Sequence, residues 1–167
     1  MSEDYKVNYR HYEDSEYQPD ISMMMNIDGN RFGIYECKHK LSNGQTIVMA
    51  FEESYRTLDT RYWNIVLYLY TKRGTTPADM SGAKLTGIDP RESFIAVRNM
   101  FPKLLEELTE KYKSKDNFIY CTWVDNKRRD VYHRFLKRYG FDYGTFGNKK
   151  VICRFFENGA VVPQKGE

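Results

Sequence analysis

The stretch that decides the fold is Phe118–Phe141, FIYCTWVDNKRRDVYHRFLKRYGF. Its first seven residues, Phe118–Val124, are aromatic, β-branched or otherwise small and apolar, the composition of a buried strand. Asp125 or Asn126 then supplies a short polar side chain of the kind that accepts the free N–H groups of a helix N-terminus. Val131, Tyr132, Phe135, Leu136 and Tyr139 follow at spacings of three and four, which puts them on one helical face. Gly140 stands where such a helix ends, because glycine adopts the left-handed conformation that terminates it. Strand, cap, helix and glycine stop are thus written within 24 residues.

The signals continue in both directions. Downstream, Phe141–Phe146 and Lys149–Phe156 flank Gly147-Asn148 and read as a hairpin. Upstream, Asp89-Pro90-Arg91-Glu92 opens a second helix. Asp89 is a cap acceptor, Pro90 suits the first helical position, and Glu92 completes a capping box. Phe94, Val97, Phe101, Leu104 or Leu105, Leu108 and Tyr112 form its apolar face, over about residues 90–112. Pro102 removes one intrahelical bond and predicts a kink or brief break near Arg98–Phe101. Before this helix, Tyr62–Lys72 (YWNIVLYLYTK) is an almost unbroken apolar run, the pattern of a strand covered on both faces. Residues 74–83 read as a loop and Lys84–Ile88 as a short strand.

A meander precedes these elements. Ile21–Ile27, Arg31–Lys40 and Gln45–Phe51 read as strands joined at Asp28-Gly29 and Asn43-Gly44, pairs that supply the positive φ of tight hairpins. Residues 52–61 read as a polar connection. Residues 1–20 are charged, with Tyr5, Tyr9 and Tyr12 at helical spacing, and read as an arm or short helix. The expected organisation is an N-terminal arm over 1–20, one domain over 21–157 and a flexible tail over 158–167. The fold class is α+β: a mixed, mostly antiparallel sheet flanked by helices.

Composition limits the function classes. The chain has 167 residues, a common size for one domain. Its 14 Tyr and 10 Phe exclude a wholly disordered chain. Three widely spaced cysteines, Cys37, Cys121 and Cys153, give neither a disulfide framework nor a metal-ligand spacing. With no apolar N-terminal stretch and no apolar run of membrane-spanning length, the expected location is cytoplasmic, without a membrane partner. Charge is uneven. Residues 1–60 hold 6 Lys+Arg against 11 Asp+Glu, and residues 61–167 hold 20 against 12. A basic half points to an anionic partner such as CoA or nucleic acid, and competes with an ordinary solvated surface.

The order of elements resembles the GNAT superfamily of N-acyltransferases: antiparallel strands, a long strand, a capped helix, a strand, a helix ending in Gly-Phe, a hairpin. In that family the second of these helices ends Tyr-x-x-x-Gly-Phe, and the matching tail is Leu136-Lys137-Arg138-Tyr139-Gly140-Phe141. The resemblance implies a GNAT-like sheet, acyl-CoA as cofactor and acyl transfer to an acceptor that the sequence does not specify. It places the cofactor phosphates at Leu85–Ser93, with Gly87, Arg91 and Ser93 as contacts and Arg128, Arg134 and Arg138 as supporting charge. This sequence has one glycine there, where the family pattern has two, and adds Asp89 and Glu92. The family's tyrosine proton donor falls at Leu136, which leaves Tyr132 and Tyr139 as the nearby phenols. Asp125, at the C-terminal end of a central strand, is a third catalytic candidate and also a plain helix cap. The stretch 84–141 is also similar to small phage-encoded proteins with Thr86-Gly87, Phe94, Val97, Phe118, Arg128 and Tyr132 in corresponding places, which implies a phage accessory protein on the same scaffold.

The basic helix supports a second function class, a non-catalytic module that binds nucleic acid or a host protein. At 100° per residue, Lys127, Arg134 and Arg138 line one stripe, where phosphates would bind while tyrosines stack on bases. A solvated face with an Asp130–Arg134 pair is the competing expectation. His11, His39 and His133 share no metal-ligand spacing.

Overall fold

A computed structural model describes residues 6–11, 32–71, 74–77 and 90–157. The strands are β1 (Asn8–His11), β2 (Gly33–Lys40), β3 (Thr46–Arg56), β4 (Thr60–Thr71), β5 (Gly74–Pro77), β6 (Asp116–Cys121), β7 (Asp142–Phe146) and β8 (Lys149–Phe156). Helix α1 (Pro90–Lys111) separates β5 from β6, and α2 (Asn126–Leu136) with a 3-10 turn at Lys137–Tyr139 separates β6 from β7. Seven strands run in the order β1-β2-β3-β4-β6-β8-β7, and β5 pairs with β4 off this path. Only β4 and β6 are parallel; every other pairing among the described residues is antiparallel. The architecture is α+β, a mostly antiparallel sheet with two helices.

Both helices pack on one face of that sheet. Trp63, Ile65, Leu67 and Leu69 of β4 alternate toward α1, whose Ala96, Val97, Met100, Phe101, Leu104, Leu105 and Leu108 share their core. The ring of Phe101 joins the layers. It meets Phe51 of β3, Phe135 and Tyr139 of the α2 segment, and Phe141, with ring centroids 4.8–5.8 Å apart and edge-on. Trp63 is fully buried, and its indole N–H donates to Asn117 Oδ1 at 3.1 Å, so its polar edge is satisfied inside the core. Gly140 closes the α2 segment at φ 83°, and Arg154 Nη1 would lie 2.7 Å from any Cβ there. That arginine donates to the carbonyl of Tyr139.

Several expectations are corrected. Residues 52–56 continue β3 instead of forming a polar connection. The strand carries charge inward at Glu53, and its register shifts at a bulge between Glu53 and Tyr55. Glu53 is wholly buried, and its carboxylate accepts from Arg56 Nε and Nη2 at 2.6 and 2.7 Å, from Arg61 Nη1 at 3.1 Å and from the Gly33 N–H at 3.0 Å. Residues 8–11 form an edge strand on β2, with the Tyr9 ring against Tyr35 at 4.7 Å, so the tyrosine spacing there is not helical. The α1 helix continues through Pro102 without a break. Residues 74–77 are a strand that folds back on β4, not loop. The strand expected over 118–124 ends at Cys121. The expected strands 21–27 and 84–88, the Asp28-Gly29 turn and the 158–167 tail lie outside the described residues.

The buried carboxylate generates a prediction. Glu53→Gln keeps the shape but leaves two guanidinium groups beside a neutral amide in the core. A broken buried pair costs about 3–5 kcal/mol. The variant is expected to unfold at a clearly lower denaturant midpoint, with the slope of the transition unchanged; a midpoint equal to that of the parent chain would contradict it.

Candidate functional site

The parallel pairing of β4 with β6 is short. It runs from Thr60↔Asp116 to Asn64↔Tyr120, and then the two strands part. Further along, β4 takes β5 as its neighbour, from Tyr68↔Pro77 to Thr71↔Gly74. Between these pairings, Ile65, Val66 and Leu67 pair with Phe51, Ala50 and Met49 of β3 on one edge and with no described strand on the other. The sheet therefore forks at its middle. Because α1 returns the chain antiparallel to β4, and α2 leaves from the end of β6, both helices begin at the open end of the fork.

At the crotch, on the face away from the helices, lies a row of polar groups. Asn64 stands opposite Glu52 on one side and opposite Tyr120 on the other. Glu52 Oε2 accepts from the Tyr68 hydroxyl at 2.6 Å. The Ser54 and Tyr120 hydroxyls share a 2.7 Å hydrogen bond. The side-chain oxygen of Asn64 is buried between them and has no hydrogen-bond partner among the described residues. Such an acceptor costs free energy until something donates to it. Burial pushes the Tyr120 phenol pKa upward, and the nearby Glu52 carboxylate adds to the rise. Sequence reading misses this row. A signal is present, since Glu52, Ser54 and Asn64 are polar positions at strand period beside apolar runs, but Glu52 and Ser54 fall in the stretch that reads as a connection.

The residues singled out from sequence are scattered. Gly87 lies outside the described residues. Arg91 is exposed in the first turn of α1, whereas Ser93 is buried. Glu92 accepts from the Ser42 backbone N–H at 2.6 Å and the Ser42 hydroxyl at 2.7 Å, which ties the β2–β3 turn to the start of α1. Asp125 caps α2, its carboxylate accepting from the Arg128 N–H at 2.8 Å, and the Arg128 guanidinium turns back to pair with it. Tyr132 is half-buried against the core. Tyr139 is 1 % exposed, and its hydroxyl has no hydrogen-bond partner among the described residues. Burial pushes its pKa upward. Both phenols lie on the helix-bearing face, opposite the polar row at the fork. Arg134 and Arg138 are exposed on the α2 segment. The structure thus joins Asp125 to Arg128, and brings neither Tyr132 nor Tyr139 to Glu52, Asn64 and Tyr120.

Among the described residues, no group of His, Cys, Asp and Glu is placed to hold a metal ion, and no helix is long and apolar enough to cross a membrane. Comparison with protein-family models, curated proteins and solved structures found no match.

The helix cap and the buried thiols each allow a measurement. Asp125→Ala should cost about 0.5–2 kcal/mol through loss of the cap, while Asp125→Asn, whose amide oxygen also caps, should stay near the parent stability. Equal losses in both variants would show that the charge, and not the cap, is what matters. Burial pushes the Cys37 and Cys121 thiols up to about 12, so at about pH 8 both remain protonated. A disulfide reagent should leave both untouched in the folded chain and modify them on denaturation; rapid native-state labelling of either would contradict the burial.

Proposed function

We propose that this chain is an acyl-CoA-binding protein of the N-acyltransferase kind, built on a GNAT-like scaffold. The observation that carries the reading is the fork between β4 and β6, with a stretch of β4 at its inner edge that pairs with no described strand. Unpaired backbone N–H and C=O groups in mid-sheet need partners, and an extended ligand with amide groups can supply them by adding to the strand edge. Pantetheine is such a ligand, with two secondary amides along a flexible arm. The residues present fit it over a short length: among the described residues, β5 covers β4 from Tyr68 onward and no strand pairs with this edge of Ile65–Leu67.

For the phosphates, the first turn of α1 offers Arg91 and the positive end of the helix dipole. Glu92 is already engaged by Ser42, so its charge is partly satisfied away from such a ligand. When bound, acyl-CoA supplies the activated acyl thioester. The chain's own contribution is at the polar row. Glu52 is a nearly buried carboxylate that accepts a proton from an incoming amine, and Asn64 accepts a hydrogen bond from it. Tyr120, its phenol kept protonated by burial on the opposite side of the crotch, would give its hydroxyl proton to the CoA sulfur that leaves as the new amide bond forms. These three replace Tyr132, Tyr139 and Asp125 as the groups at the reacting centre.

Titration calorimetry with CoA and acetyl-CoA tests the reading. Binding is expected for both ligands, and Arg91→Ala should weaken it about tenfold, the equivalent of ~1.4 kcal/mol, with no change in thermal midpoint. Absence of heat and of any thermal shift at millimolar ligand would overturn it.

A further inference from the structure

We propose that the solvent face of α2 and the adjoining edge of β7 bind single-stranded nucleic acid, independently of the fork. The first observation is charge left over after local pairing. Arg128 is paired with Asp125, Arg129 with Asp130, and His133 with Asp142. The expected Asp130–Arg134 pair does not form, because Asp130 turns to its neighbour Arg129 at 3.0 Å. Lys127, Arg134, Lys137 and Arg138 are exposed and have no acid within ion-pair distance among the described residues. They fill one arc of the helix, since Phe135, Leu136 and Tyr139 take the buried side. Four cations on one arc present a positive strip to a phosphate backbone without needing an enclosed site.

The second observation is an aromatic ring fixed beside that arc. Tyr143 of β7 is 49 % exposed and lies flat on the His133 imidazole, with ring centroids 4.2 Å apart and planes 17° from parallel. Asp142 locks the pair. Its Oδ1 accepts from the Tyr143 backbone N–H at 2.8 Å and meets His133 Nε2 at 3.0 Å. These partners hold the Asp142 carboxyl below its usual range. Trp123 stands edge-on to the same tyrosine at 6.2 Å. Lys150, exposed and paired with Thr145 two residues along β7, adds a cation on the same side. The ring is backed and oriented before any ligand arrives, so stacking a base on it costs little ordering entropy.

An acidic peptide would satisfy the cations but leave the flat ring unused. A duplex would satisfy them too, but its bases are already stacked on one another. A single strand uses both features, phosphates on the helix arc and a base on Tyr143, which is the combination by which sequence-tolerant strand binders work.

The test is fluorescence anisotropy with a labelled oligothymidine of about 15 nucleotides, its duplex form, and polyglutamate as competitor. Single-strand binding is expected, with log affinity falling linearly with log salt. The double variant Arg134→Ala/Lys137→Ala should reduce that slope by about 0.7 for each phosphate it no longer neutralises. Tyr143→Ala should weaken binding about 5- to 150-fold at unchanged slope, the range of one base stack, whereas Tyr143→Phe should keep it. All these side chains are exposed or at the surface, and circular dichroism reports whether each variant folds. No retention of the single strand at about 50 mM salt would overturn the proposal. So would a Tyr143→Ala variant that binds as the parent does, duplex bound as tightly as single strand, or full displacement by polyglutamate.

Discussion

Between Thr60 and Asn64, β4 lies parallel to β6, and a parallel neighbour imposes a constraint that an antiparallel one does not. The chain must leave the end of the first strand and return to the start of the second, which takes a crossover far longer than a hairpin turn. Here that crossover includes α1, whose packing across β2 and β3 builds much of the core. The same requirement fixes where α1 begins, at the end of the sheet where β4 and β6 separate. Had β4 and β6 stayed paired throughout, there would be no fork, and β6 would border Ile65–Leu67 as it borders Thr60–Asn64.

The two faces of the sheet divide the chemistry. The face under the helices is apolar and aromatic, with Phe101 linking β3, α1 and the α2 segment. In the buried ionic cluster there, the Glu53 carboxylate receives two guanidinium groups and a backbone N–H. The other face carries Glu52, Ser54, Asn64, Tyr68 and Tyr120 at the crotch, hydrogen-bonded in pairs with one acceptor left over. Glu52 and Glu53 are adjacent in sequence and point to opposite faces by the two-residue period of a strand. One serves the packing of the core and the other faces the fork. A single-residue slip of β3 would exchange these environments, so the bulge between Glu53 and Tyr55, placed after both, is tolerated where one before them would not be.

Much of the architecture was legible because it rests on local chemistry. Asp125, Gly140 and the Gly147-Asn148 turn mark their boundaries through caps and backbone conformations that few residues accept. The apolar period of α1 is visible from Val97 to Leu108. Charge inside strands was not legible. Glu52 and Glu53 read as loop residues because their partners Arg61 and Tyr68 stand 8 and 16 residues away, and pairing at that range leaves no periodic trace. The polar row at the fork was missed for the same reason. Tyr132 and Tyr139 sit on the most recognisable helix, but which face of a sheet a helix covers is a tertiary fact. The burial of Tyr139 among Phe101 and Phe135 follows from that choice. Glu52, Asn64 and Tyr120 come from three strands and meet only through register.

The order β6-β8-β7 has a consequence for how the chain is made. Strand β8 sits between β6 and β7 although it follows both in sequence, so one edge of β6 has no partner until residue 156 has emerged during synthesis. Until then the nascent sheet ends in Phe118, Ile119 and Tyr120, an apolar edge with free backbone groups of the sort that pairs with other chains. Contacts between residues near 118 and near 155 are also distant in sequence, which slows their formation. A chain that stops after α2 therefore leaves this apolar edge of β6 uncovered, and the hairpin Asp142–Phe156 is the segment that closes it.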